Sequence, residues 1–247
     1  MSPTEKQKKR EKLTKTVKDY VLNDLGAALV GVASANDPQF DRAPKGHHPT
    51  DHLPGAKSVV VLGIRQLKEA LSEPAHGEVH FKHYDLMNAW LEKAGFDLAF
   101  KLKDLGHKGL FIPESDPYMK FFKQRDIDGH PRWSPIFCHI HAAVAAGLGK
   151  RGKIGIVLTP EFGPFQRWMS VITTADLVPD PRVEKEVCLD FIKEGLCDSK
   201  CITACPNGSL RAWPEEGGAQ MYKCLAAPMK AQGTACKACI GACPVGQ

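Results

Sequence analysis

Eight cysteines crowd the last 60 residues of this 247-residue chain: Cys188, Cys197, Cys201, Cys205, Cys224, Cys236, Cys239 and Cys243. They form two quartets, C-x8-C-x3-C-x3-C-P ending at Pro206 and C-x11-C-x2-C-x3-C-P ending at Pro244. Closely spaced thiolates are soft ligands suited to iron–sulfur clusters. A C-x2-C or C-x3-C loop wraps three thiolates around one corner of a cubane. The closing Cys-Pro turns the chain away, so its sulfur reaches the other cluster. On this pattern one [4Fe-4S] cluster takes Cys188, Cys197, Cys201 and Cys243, and the other takes Cys205, Cys224, Cys236 and Cys239. Zinc sites also use paired C-x2-C, but they rarely repeat the C-x3-C-P ending. Disulfides belong to oxidising compartments and small secreted domains. No apolar stretch follows the basic residues near the start, so a secretory signal is not expected and a cytoplasmic protein is. The x8 gap and the x3 between Cys197 and Cys201 exceed the usual C-x2-C-x2-C, which leaves Cys188 furthest from the pattern. Cys138 stands alone and is expected to pack as a small hydrophobe.

Two such quartets are the layout of a two-cluster ferredoxin module, and the composition break puts its boundary near Pro179–Pro181. The expected division is a core over residues 1–180 and a cluster module over 181–247. The spacing predicts a helix over 4–25 that Gly26 stops, with Leu13, Val17, Val21 and Leu25 on one stripe. Residues 1–19 carry +4 of the chain's net charge of +5, so residues 20–247 are nearly neutral. A basic stretch can serve as a nucleic-acid arm, but the stripe favours a solvated helix face. Strands are expected at Ala27–Ala33, Ser58–Ile64, Gly109–Ile112, Ile154–Leu158 and Trp168–Thr173. The continuous apolar run at 58–64 suggests a strand covered on both faces. Helices are expected over Tyr84–Leu105 and Cys138–Leu148. Helices alternating with buried strands imply a layered α/β core. No apolar run approaches the roughly 20 residues of a membrane-spanning helix.

The stretch 139–176 resembles the corrinoid-binding signature of the epoxyqueuosine reductase and reductive dehalogenase superfamily. Ala146, Gly147, Leu148, Gly149, Gly152 and Lys153 match its A-G-L-G-x-x-G-K, and Leu158, Thr159, Pro160, Glu161, Gly163 and Pro164 match its L-T-P-E-x-G-P. The segment APKGHHPTDHLPGAKSVVVLG (43–63) also resembles that family. The resemblance implies an α+β protein, with a nitroreductase-like α/β core that holds cobalamin and a C-terminal ferredoxin-like module with two [4Fe-4S] clusters. It implies a corrinoid-dependent oxidoreductase, fed by a ferredoxin or flavodoxin, that performs reductive chemistry on a small organic substrate. Gly147, Gly149 and Gly152 would let backbone approach a flat cofactor, their amides would meet corrin amides or phosphate, and Lys153 would pair with the phosphate. A helix end and tight turn is the plainer reading of Gly149–Gly152.

The departures shape the substrate. The family's V-D-[ST]-[AG]-P stretch supplies an Asp proton donor to epoxyqueuosine reductases, and Arg132-Trp133-Ser134-Pro135 stands there instead. Arg and Trp do not serve as acids at neutral pH, so epoxyqueuosine reduction is not expected, although Asp126 and Asp128 lie nearby. Tyr118 and then His139 are the candidate proton donors. Tyr84 and Tyr118 also have plain readings as packed aromatics. The loop with His47, His48, Asp51 and His52 is explained by the family segment without metal. A corrinoid-reducing electron carrier without an organic substrate, an FMN enzyme, an epoxyqueuosine reductase variant and a tRNA-binding module are the competing functions. The near-neutral core argues against nucleic acid.

Overall fold

The computed structural model describes residues 2–42, 46–71, 77–113, 123–125, 131–133, 136–206, 208–210 and 236–246. Tyr118, Asp126, Asp128, Ser134, Pro135 and Cys224 lie outside the described residues. The chain opens with helix α1 (Pro3–Asp19), which Ser2 and Glu5 close with a reciprocal capping box. A π-helical turn over Tyr20–Asp24 extends it to Gly26, whose φ is +77°. Thus the first predicted helix is present, with a wider last turn. Val17 and Val21 of its stripe are fully buried. Its basic face engages protein in part: Arg10 pairs with Asp176 at 2.9 Å and Lys18 with Asp180.

Four antiparallel strands make the central sheet in the order β1-β2-β8-β3. They are β1 (Leu29–Ser34), β2 (Ser58–Arg65), β3 (Gly109–Ile112) and β8 (Gln166–Thr173). The run at 58–65 sits at the centre, because β1 pairs with it on one side and β8 on the other. Side chains alternate across a strand. Val59 and Val61 therefore join one apolar cluster while Val60 and Leu62 join the other. Each such buried side chain contributes about 1.5–3 kcal/mol.

Short α2 (Pro49–His52) and α3 (Lys68–Leu71) flank β2. The long helix α4 (Gly77–Asp104) covers one face with Leu91, Ala94, Leu98 and Leu102. It starts seven residues before its predicted start. After α4 come the two-stranded pair β4 (Lys123–Arg125) and β5 (Pro131–Trp133), and then α5 (His139–Ala145), which covers the other face with Ala142, Ala143 and Ala145. A hairpin of β6 (Lys150–Arg151) and β7 (Val157–Leu158) leads into β8. Two helical layers thus enclose one antiparallel sheet, an α+β arrangement. Among its described residues, the C-terminal part contributes single-turn helices: α6 (Leu189–Ile192), α7 (Lys200–Thr203) and α8 (Ala238–Gly241). Among the described residues, no helix is long and apolar enough to cross a membrane.

Candidate functional site

Five cysteines drawn from both quartets line one cavity, and four of them are Cys188, Cys197, Cys201 and Cys243. Cys239 lines it too, beside Gly152, Lys153, Leu158 and Asp190. Cys188 is buried at the N-terminal end of α6, Cys201 rides on α7, and Cys243 follows α8. Burial, and then the neighbouring Cys243, Cys188 and Cys197, push the Cys201 thiol up to about 11. Burial, then Cys188 and Cys197, raise Cys243 despite the amide of Val245. The mutual effect reflects how near these thiols lie to one another. Such crowded thiols give up their protons when a cation takes their place, so binding of metal releases protons. Cys205 belongs elsewhere. Its sulfur meets the hydroxyl of Ser209 at 3.1 Å and accepts the Ser209 N–H at 3.3 Å.

The eight-residue gap after Cys188 is organised by Asp190, which sequence reasoning missed. Its carboxylate accepts the N–H groups of Cys197 (3.1 Å) and Ser199 (2.9 Å), and the Ser199 hydroxyl (2.7 Å). The Lys153 ammonium donates to the same carboxylate at 3.3 Å. Burial alone would raise this acid, but the donors from Ser199, Cys197 and Lys153 outweigh it and hold Asp190 well below the carboxylate range. Asp198 and Ser199 both have φ of +50°, so the extra residue of the C-x3-C loop is absorbed by two left-handed residues. Glu186 takes the N–H groups of Val187 and Cys188 and pairs with Lys150 at 3.3 Å. The β6–β7 hairpin therefore supports the cysteine loop at two points. The signal available in sequence was an acid two residues after a cysteine, too common to stand out.

The residues expected to hold a corrinoid are engaged with the protein itself. The N–H groups of Gly147, Leu148, Gly152 and Gly163 go to the carbonyls of Val144, Ala143, Ile156 and Thr159. A Cβ on Gly147 would overlap the Pro181 carbonyl, one on Gly149 the Leu158 carbonyl, and one on Gly163 the Val245 carbonyl. Gly147 and Gly163 also have φ of +69° and +54°, where glycine is favoured. Thr159 is fully buried and accepts the Phe162 N–H, which makes 159–163 a closed turn with Pro160 and Glu161 exposed and Pro164 buried behind it. Lys153 meets Asp190. These glycines permit close approach of neighbouring backbone: Gly147 and Gly163 against Pro181 and Val245, and Gly149 against Leu158.

His139, one of the two candidate proton donors, is held at both ring nitrogens. It is 8% exposed, its Nδ1 accepts from the Ser170 hydroxyl at 2.9 Å, and its Nε2–H donates to the Pro113 carbonyl at 3.2 Å. Burial lowers its pKa to about 4, so at neutral pH it is uncharged with both nitrogens in use. In the His-rich loop, His48 caps α2, Asp51 accepts the N–H groups of Gly46 and His48, and His52 Nε2 bonds the Ile136 carbonyl at 2.9 Å. Cys138 heads α5, and burial raises its thiol, as for a packed residue.

What the fold and site define is an α+β core that carries a cage of thiols on its hairpin side. No family model matches the chain. A tetrachloroethene reductive dehalogenase of Sulfurospirillum multivorans is 32% identical over 129 residues, 41% of this chain and 22% of that protein. An epoxyqueuosine reductase of Gloeobacter violaceus is 29% identical over 175 residues, 70% of this chain and 46% of that protein. The chain spans less than half the length of either. A solved catabolic reductive dehalogenase, in complex with 3-bromo-4-hydroxybenzoic acid, superposes on 96% of this chain and 32% of its own with TM-score 0.63 and 20% identity. Another structure of this fold concerns B12-dependent dehalogenation, and a solved epoxyqueuosine reductase that shares the fold holds a tRNA stem loop (TM-score 0.56). The chain resembles the epoxyqueuosine reductase and reductive dehalogenase-like superfamily in sequence and in fold.

Proposed function

We propose that the chain is an iron–sulfur oxidoreductase of the epoxyqueuosine reductase and reductive dehalogenase type, built as a core over residues 1–180 and a two-cluster module over 181–247. Convergence of Cys188, Cys197, Cys201 and Cys243 on one cavity carries this reading. Thiolates on a single zinc ion lie about 2.3 Å from it and so within about 4 Å of one another. The two quartets each close with C-x3-C-P, an ending that zinc sites rarely repeat. That spacing suits a [4Fe-4S] cluster, with iron between the sulfurs. Cys205, Cys236 and Cys239, with Cys224 outside the described residues, are the ligands for the second cluster. Electrons enter singly from a ferredoxin or flavodoxin and leave for reductive chemistry on a small organic substrate.

Cobalamin belongs to this proposal through the fold's likeness to a B12-dependent dehalogenase. The N–H groups of Gly147, Gly152 and Gly163 already have carbonyl partners, so this part of the proposal does not rest on them. When bound, cobalamin would supply a reducible cobalt. A second reading, tRNA as substrate, is favoured by the epoxyqueuosine reductase that shares the fold and holds a tRNA stem loop. The test begins with anaerobically purified protein, which should hold about eight iron and eight sulfide per chain. Stoichiometric zinc, or about four iron, would overturn the two-cluster reading. Absorption spectra with cobalamin and with FMN then separate the acceptors. Turnover with halogenated phenols against epoxyqueuosine tRNA separates the substrates, and turnover of neither leaves the electron-carrier reading.

A further inference from the structure

We propose that the Lys153–Asp190 ion pair sets the reduction potential of the cluster held by Cys188, Cys197, Cys201 and Cys243. This inference rests on the iron–sulfur reading above. Lys153 and Asp190 both line the thiol cavity, and they are the oppositely charged pair in its wall. The Asp190 side chain is 1% exposed and that of Lys153 is 22% exposed, so solvent screens the pair weakly. Asp190 touches the ligand loop directly through the Cys197 N–H. It is a positioning residue for that loop as well as a fixed charge.

The sign of each effect follows from electrostatics. Reduction adds an electron to the cluster, and a nearby positive charge favours the more negative form. Lys153 therefore raises the potential and Asp190 lowers it, so the potential depends on both charges. If Lys153 is removed, Asp190 stays ionised, because three donors remain on it: the Cys197 N–H, the Ser199 N–H and the Ser199 hydroxyl. Its charge then acts alone. Lys153 comes from the core hairpin and Asp190 from the cysteine module, so the balance depends on how the two parts meet.

The experiment is a redox titration of the anaerobic, cluster-loaded protein, followed by electron paramagnetic resonance, with iron and sulfide measured on every sample. In Lys153→Met, one of the two cluster potentials should move to a more negative value and the other should stay. In Asp190→Asn the same one should move to a more positive value. The double variant should return toward the wild type, and Lys153→Arg should keep the wild-type value. Unchanged potentials in a fully loaded Lys153→Met would overturn the proposal. So would shifts of the same sign in both single variants, since that is the mark of a loosened loop and not of a charge. If Asp190→Asn loses iron, Lys153→Met and Lys153→Arg still decide the matter. Absence of iron and sulfide from the wild type would instead sink the iron–sulfur reading beneath it.

Discussion

His139 is held between the Ser170 hydroxyl and the Pro113 carbonyl, and burial keeps its pKa near 4. In the unfolded chain an imidazole titrates near 6.5. Between those values the unfolded chain binds a proton that the folded chain refuses. Stability is therefore lost as pH falls from about 6.5 to about 4, by about 3 kcal/mol from this residue, and is fully present above that window. Replacing His139 by Gln should cost stability at pH 7.5 through the lost hydrogen bond. It should also flatten the fall in melting temperature between pH 7 and pH 4.5. Parallel melting curves for the two proteins across that range would show that the imidazole does not carry the effect. The partners explain why the sequence did not reveal this setting. Ser170 and Pro113 lie far along the chain, so nothing local to residues 138–141 marks both nitrogens as spent. The cysteines are the opposite case. Their spacing is local and stands in the sequence itself. The loop that holds them in place was not legible there, because Asp190 works through Ser199 and Lys153 at long or irregular separations.

Strands and helices followed from pattern wherever burial on two faces wrote a continuous or periodic apolar run. Ser58–Arg65, whose first six residues are buried, is such a case. The start of α4 was not legible, since Val79, Phe81 and Leu86 in its first turns are exposed and no stripe marks them. Tight approach between elements was invisible in the same way, because a glycine looks alike whether it faces a ligand or a neighbouring carbonyl. Gly147 and Gly106 make a direct comparison. Both have positive φ, +69° and +85°. A Cβ at 106 meets nothing within 4 Å, whereas one at 147 overlaps the Pro181 carbonyl. Gly106→Ala should cost only the left-handed penalty of about 1–2 kcal/mol. Gly147→Ala should cost clearly more, since the backbone at 180–181 must also move away. Thermal melts of the two variants check this. Equal losses would mean that the 180–181 segment shifts without cost and that core and module are loosely joined there.

At the scale of the whole molecule, the first cavity joins cysteines from both quartets. Cys243 closes the second quartet, yet it sits with Cys188, Cys197 and Cys201 of the first. Cys205 closes the first quartet and bonds Ser209 away from that group. In the proposed reading the first cluster ties Cys201 to Cys243, 42 residues on, and the second ties Cys205 to Cys239, 34 residues on, so loss of one ligand loosens both segments. This crossing can be tested without knowing the substrate. Cys197→Ala and Cys236→Ala should each leave about four iron per chain, one retaining the second cluster and the other the first. Their electron paramagnetic resonance spectra then serve as references for the two clusters. Cys243→Ala should reproduce the spectrum of Cys197→Ala, because both empty the same cage, and Cys205→Ala should reproduce that of Cys236→Ala. Cys138→Ala should leave iron unchanged. If Cys243→Ala matched Cys236→Ala instead, each quartet would serve its own cluster. The convergence of Cys188, Cys197, Cys201 and Cys243 would then be packing of thiols and not a ligand set.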